Sequence, residues 1–293
     1  MKWTKYLSLL AAPIAALSLT PRDYANSTSP IAVTKRATFS SPPFNIQNDA
    51  GYAALFALIE DLASDPAVKV IVFDSNVPDF YIAHFDLVNP VATEYVDNLW
   101  PNMTRLIDLP IVTVAAVRGI AHGGGAEFAA ALDVRFGSKE KAVFGQLELG
   151  IGSLPGGGGI SLLPRLVGRS RAIEVILGAQ DFDADTAASY GWINRAIADA
   201  EFDDYVDTFA RRVASFDKAA IVEAKRIINK RAVYPIVEEQ AEDWSTALGL
   251  LSTENVQARL AKIAEMGMQK DVDFEANAAE KLELVQGEGP WDV

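Results

Sequence analysis

Short β-branched apolar runs alternate with helix-length amphipathic patterns, and this alternation most constrains how the chain can fold. "VKVIVFDS" (Val68–Ser75), "PIVTVAAV" (Pro110–Val117) and the shorter "AVFGQLELG" (Ala142–Gly150) read as strands. A strand that is apolar on both faces must be covered on both faces, which is the situation of a parallel sheet. Between such runs, "AGYAALFALIEDLAS" (Ala50–Ser64) places Leu55, Ile59 and Leu62 on one helical face, with Phe56 and Leu58 close by. Alternation of this kind specifies an α/β core with mainly parallel strands. After Glu201 the strand patterns stop, and "DYVDTFARRVASF", "KAAIVEAKRIINKRA" and "IVEEQAEDWSTALGLL" all read as helices. The reading is therefore an α/β core over residues 31–200 and a helical region over 201–286, with no internal repeat and no low-complexity tract.

Composition narrows the chemistry. The 293 residues are half apolar, enough for a full core. There is no cysteine, so neither a disulfide framework nor a thiolate metal site is possible. With only two histidines, His84 and His122, a histidine-rich metal site is excluded as well. No carboxylate cluster suggests a hard-cation site, so no metal is expected. A net charge of −13 argues against a nucleic-acid partner, although an anion can still bind at local basic groups or helix N-termini.

The first twenty residues stand apart. Lys2 and Lys5 precede the apolar run "LSLLAAPIAALSL" (Leu7–Leu19), the pattern of a secretory signal peptide, so residues 1–20 are a candidate signal or an N-terminal extension. The run is too short for a comfortable membrane span. A misplaced start is the alternative. "KR" at Lys35–Arg36 offers a processing site on paper, but fits better inside the first core strand.

The segment "AHGGGAEFAAALD" (Ala121–Asp133) sets three glycines between a strand and a helix and puts Glu127 just beyond. Glycines let a ligand approach the backbone, and the first N–H groups of a helix lack intrahelical partners. Together they suit a negative charge, either a phosphate or a developing oxyanion. The spacing matches neither common nucleotide loop. Close packing of helix on strand accounts for the glycines equally well at this level.

Three blocks taken together resemble the crotonase (enoyl-CoA hydratase/isomerase) superfamily: "DFYIAHFDL" (Asp79–Leu87), "VAAVRGIAHGGGAEFAAALDVRFGS" and "FGQLELGIGSLPGGGGISLLPRLVGRSRAIEVILGAQDFDADTAASYGWINRAI" (Phe144–Ile197). Their order and spacing agree with that family, and the likeness spans roughly Val33 to Leu284. The resemblance implies an α/β crotonase-like fold of stacked β-β-α units with C-terminal helices that mediate assembly, commonly as a trimer or a dimer of trimers. The stripe in "EDWSTALGLL" would suit such an interface. The resemblance also implies an acyl-CoA or related thioester as substrate, with no separate cofactor.

By the same resemblance, the backbone N–H groups of Phe85 and Gly124 bind the thioester oxygen. Phe85, Asp86, Leu87 and Gly124 are thus the implied substrate-binding residues. Glu127 and Glu148 match the two catalytic glutamates, Glu148 delivering a proton to Cα and Glu127 orienting and activating water. Hydration needs one group to accept a proton and another to return it, which two nearby carboxyls can share. Isomerisation needs only one, so the retained pair favours an enoyl-CoA hydratase. Another crotonase reaction (isomerisation, C–C cleavage, a tailoring step) and a non-catalytic binding protein are the alternatives. "LPGGGGIS" (Leu154–Ser161) is either a helix entry near the site or plain backbone packing, and Lys225 and Arg226 read as a solvated face rather than a CoA phosphate site.

Two features depart from the family pattern. His84 and Phe85 replace small residues in the first block, and His122 replaces an apolar one. Both histidines thus fall in the oxyanion-forming segments, as packing residues or, alternatively, as extra acid/base groups. The signal-like N-terminus points toward secretion while CoA chemistry points inside the cell, which leaves the location open.

Overall fold

A computed structural model describes residues 22–23, 33–88, 102–234 and 237–285. The candidate signal segment lies outside them. Among the described residues, no helix is long and apolar enough to cross a membrane, and no group of metal-ligating side chains could hold an ion.

The elements run in order β1 (Arg22–Asp23), β2 (Val33–Phe39), α1 (Asp49–Ser64), β3 (Val68–Ser75), β4 (Phe80–Ile82), α2 (102–108), β5 (Val112–Val117), β6 (Ile120–His122), α3 (Gly124–Ala131), β7 (Val134–Ser138) and β8 (Val143–Gly145). They continue with α4 (Glu148–Ile151), α5 (Gly159–Val167), α6 (Arg169–Gly178), β9 (Asp181–Asp183), α7 (Ala184–Tyr190), β10 (Arg195–Ile197), a 3-10 turn at Asp199–Glu201, and α8 (Phe202–Ala214). Five further helices follow: α9 (Lys218–Ala232), α10 (Val237–Leu251), α11 (Glu254–Met266), α12 (Val272–Ala276) and α13 (Ala278–Leu284).

Two sheets result. The larger has the order β1-β2-β3-β5-β7-β10 and is parallel except for β1; the smaller is β4-β6-β8-β9, parallel except for β9. Successive strand pairs β3–β4, β5–β6 and β7–β8 each give their first strand to the large sheet and their second to the small one, and a helix follows. That is the stacked β-β-α arrangement the resemblance implies. Lys35 and Arg36 lie in β2, as the strand reading expects; Arg36 is buried and paired with Asp74 and Asp207.

The parallel strands are covered on both faces, as their apolar pattern requires. On one face Ile71, Phe73, Ala115 and Val117 join the main core with Leu55, Ile59 and Leu62 of α1. On the other, Val70, Val72, Val114 and Ala116 pack beneath Phe202, Val206, Ala210 and Ala214 of α8. Helix α1 is started by Asn48, whose side chain accepts from the Gly51 N–H at 2.8 Å.

Other C-terminal helices also cover their own chain. Phe274, Ala278 and Leu282 pack on Leu147 and Ile151 beside α4, and Ala247 of the "EDWSTALGLL" stripe is buried. Helix α9, by contrast, buries no residue. Lys225 on α9 corrects the solvated-face reading: its ammonium donates to Asp133 Oδ2 at 2.8 Å and to the Ile111 carbonyl at 2.9 Å. Arg226 is exposed and pairs with Glu223, one turn earlier.

Helix α3 is held at its middle and at its C-terminal end. Near its middle, Phe128 meets Phe39 and Phe73 edge-on at 5.6 and 5.3 Å. At its C-terminal end the buried guanidinium of Arg135 donates to the Leu132 carbonyl at 2.5 Å and the Trp192 carbonyl at 2.8 Å. Cationic donors there satisfy carbonyls that the helix leaves unpaired. Arg135→Ala is expected to destabilise the protein by about 3 kcal/mol, read as a lower urea midpoint. An unchanged midpoint would show that this helix end needs no cap.

Candidate active site

The three glycines serve three different ends. Gly123 has φ +46°, and a Cβ there would lie 2.8 Å from Glu148 Oε1. A side chain is therefore excluded both by backbone conformation and by the carboxyl. Gly125 lies against β4: a Cβ would come within 2.2 Å of the Ile82 carbonyl oxygen, a backbone atom that cannot give way. Gly124 is different. A Cβ there would meet Tyr52 Oη at 3.4 Å and Phe85 N at 3.5 Å, ordinary contact distances. The space beside Gly124 thus admits a methyl group and is bordered by the Phe85 backbone nitrogen and the Tyr52 hydroxyl. Gly124 is also the first residue of α3, where N–H groups face outward from the helix end.

Phe85 is brought there by a short bridge to residue 47. The Gln47 N–H donates to the His84 carbonyl at 3.0 Å, and the Asp86 N–H to the Gln47 carbonyl at 2.7 Å. The Phe85 ring packs on Tyr52, with centroids 6.0 Å apart, and Tyr52 stacks on Phe56. Asp86 and Leu87 are occupied differently from the implied substrate contacts. The Asp86 carboxylate accepts from the Val88 N–H and from Gln269, and the Leu87 N–H donates to Gln269 Oε1 at 2.9 Å.

The glycines of "LPGGGGIS" form a cradle for Glu127. A Cβ on Gly157 would fall 2.2 Å from Glu127 Oε2, and the Gly159 N–H donates to Oε1 at 2.9 Å. The buried carboxyl thus sits at the N-terminus of α5, with packing and function served by the same glycines. Burial raises its pKa to about 7, with the Gly159 and Gly157 N–H groups pulling down and nearby Asp243 pushing up. Glu148 opens α4, and its pKa is raised well above the usual carboxylate value, first by burial and then by the charge of Glu127. Gln146, with its amide nitrogen turned inward, donates to both Glu148 oxygens at 3.1 and 3.3 Å. No cation is among the causes that shift either glutamate.

Both histidines lie beside carboxylates. His84 Nδ1 donates to the Phe85 carbonyl at 2.6 Å, and Nε2 faces Glu275 Oε2 at 3.1 Å. Acceptors at both nitrogens favour the doubly protonated ring. Burial pushes its pKa down, but Glu275, the Phe85 carbonyl and Asp86 outweigh this and hold it above the usual histidine value. His122 is buried with Nε2 2.9 Å from Asp181 Oδ1. The packing reading of the pair is the one this geometry favours.

Sequence reasoning missed Tyr52, Gln146, Gln269 and Glu275. Tyr52 had one visible signal, a hydroxyl on the apolar face of α1. Burial and then the charge of Glu127 hold that hydroxyl far above its usual pKa, so it keeps its proton.

Comparison with known proteins agrees with this geometry. The chain belongs to the enoyl-CoA hydratase/isomerase family, whose sequence model matches residues 32–270. It is an enzyme of hydratase/isomerase type with the crotonase fold. It is 32% identical over 212 residues to a candidate mitochondrial enoyl-CoA hydratase 2 of Arabidopsis thaliana, covering 70% of each chain. It is 30% identical over 208 residues to the mitochondrial methylglutaconyl-CoA hydratase of Mus musculus, covering 67% of this chain and 66% of that one. Among solved structures, a candidate enoyl-CoA hydratase from Streptomyces avermitilis is 36% identical with a TM-score of 0.83, covering 94% of this chain and 99% of its own.

Two stability tests follow from the site. Gly125→Ala is expected to cost more than about 3 kcal/mol, while Gly124→Ala stays neutral or gains up to about 1 kcal/mol as Ala replaces Gly in a helix. Equal losses in thermal unfolding would contradict the distinction. A carboxyl whose folded pKa is raised binds its proton more tightly when folded, so its stabilisation is present at acid pH and lost as pH rises through the folded value. Glu148→Gln is therefore expected to be more stable than wild type at pH 8, with the gain shrinking toward pH 4. A gain independent of pH would show that charge is not the cause.

Proposed function

We propose that the protein hydrates a 2-enoyl thioester carried on CoA, using Phe85 and Gly124 as oxyanion donors and the Glu127–Glu148 pair as acid and base. The observation that carries this reading is the juxtaposition of a buried carboxyl, Glu127, and a half-buried one, Glu148, with a space that admits a methyl group beside a helix N-terminus. The names of the plant and mouse relatives, both hydratases, support it.

The thioester oxygen enters the gap beside Gly124 and accepts from the two backbone N–H groups. Water, held by Glu127, attacks Cβ and gives a proton to that carboxylate. The double-bond electrons move toward the thioester oxygen as an enolate, whose charge meets preorganised donors at the helix end. Glu148 then delivers its proton to Cα, and the pair exchanges one proton to reset. The pKa shifts support this division: Glu148 is raised well above the usual carboxylate value, by burial and by the charge of Glu127, which suits a proton donor, whereas Glu127, raised to about 7, can act as base. Exposed Ile227 and Ile228 on α9 support assembly as a homotrimer or hexamer, as the resemblance implies.

The test is loss of enoyl-thioester absorbance with crotonyl-CoA. Wild type is expected to turn over, Glu148→Gln to lose about 10³-fold in kcat, and Gly124→Ala about 10²-fold while still folded. A folded wild type with no turnover would overturn the hydratase reading. Full activity in Gly124→Ala would remove this gap from the mechanism.

A further inference from the structure

The loop that carries Phe85 is fastened by residues almost two hundred positions away. Gln269 takes the Leu87 N–H on its Oε1 (2.9 Å) and donates from Nε2 to Asp86 Oδ1 (2.8 Å). Glu275, at 1% exposure, accepts from the Gln269 N–H at 2.5 Å and faces His84 Nε2 at 3.1 Å. His84 in turn donates to the Phe85 carbonyl, which belongs to the peptide linking Phe85 to Asp86. Gln269 adopts φ +62°, a conformation that a non-glycine residue holds only where its surroundings impose it. A buried ion pair adds little net stability compared with apolar packing, but it fixes geometry strictly.

We propose that Glu275 and Gln269 are positioning residues that clamp the 84–88 loop from the C-terminal helices, fixing the Phe85–Asp86 peptide and thereby steadying the adjoining His84–Phe85 peptide, whose carbonyl accepts from the Gln47 N–H and which carries the Phe85 N–H. This rests on the reading of Phe85 as an oxyanion donor. His84 is the link: its ring transmits the position of α12 to the Phe85 carbonyl, which gives the histidine a role other than acid/base chemistry. The helices beyond residue 201 thereby complete the site of their own chain, in addition to covering the core.

The experiment is amide hydrogen exchange on the full-length protein, with steady-state kinetics on crotonyl-CoA, for wild type, Gln269→Ala, Glu275→Gln and the surface control Arg226→Ala, whose exposed side chain pairs within α9. Exchange across 84–88 is expected to rise about tenfold or more in Gln269→Ala, and kcat to fall about tenfold with KM within about twofold. Glu275→Gln should be intermediate in both, because a carboxamide keeps one oxygen for the Gln269 N–H. Arg226→Ala should match wild type. Unchanged exchange at 84–88 in Gln269→Ala would overturn the clamp, as would acceleration spreading equally to Val70–Phe73, which would show general support of the fold. A wild type inactive on crotonyl-CoA would instead defeat the hydratase reading, and the exchange pattern would still decide the clamp.

Discussion

The close approach of helix α3 to strand β4 is the constraint on which the rest of the site depends. Gly125 lies so near the Ile82 carbonyl that any side chain would collide with backbone. That contact sets the start of α3 beside the end of β4, and the chain leaving β4 becomes the 84–88 loop. Once the two meet, the Phe85 nitrogen and Gly124 face a common gap. Phe128 under the large sheet and Arg135 at the far end then keep the helix from sliding.

Charge follows from the same packing. The glycines that open space at the start of α3 and α5 also admit carboxyls. Glu148 lies against Gly123, and Glu127 is wrapped by Gly157 and Gly159. Neither shift includes a cation among its causes: burial raises both pKa values, with Asp243 adding to the rise at Glu127 and Glu127 adding to the rise at Glu148. The cost of holding them is borne by the fold, in keeping with the expectation that a reactive site is the place where local stability is given up.

Much of this was legible in the sequence, and the reason is local. Glu127 follows the glycines within one turn of the same helix, and Glu148 follows β8 within three residues. Phe85 and Gly124 were implied by the family resemblance, and the structure places the Phe85 nitrogen beside Gly124. What escaped depends on long-range pairing. Glu275 is 191 positions from His84, and no periodicity in α12 shows that its acid turns inward to a histidine. Lys225 failed for the same reason: its partner Asp133 is 92 positions away, and α9 otherwise looks like the exposed helix it is. The run "LPGGGGIS" was ambiguous because a carboxylate cradle and backbone packing demand the same residue.

In the proposed mechanism, polarisation of a thioester carbonyl in the gap beside Gly124 unites the glycines, the helix end and the carboxyl pair. Isotope-edited infrared spectroscopy of a bound enoyl thioester with a labelled carbonyl measures it directly. The C=O stretch should fall well below its value in water when the thioester binds wild type, and return most of the way in Gly124→Ala. A stretch in bound wild type that matches water would mean that no oxyanion donors act on the carbonyl, and would contradict the central role given to Phe85 and Gly124.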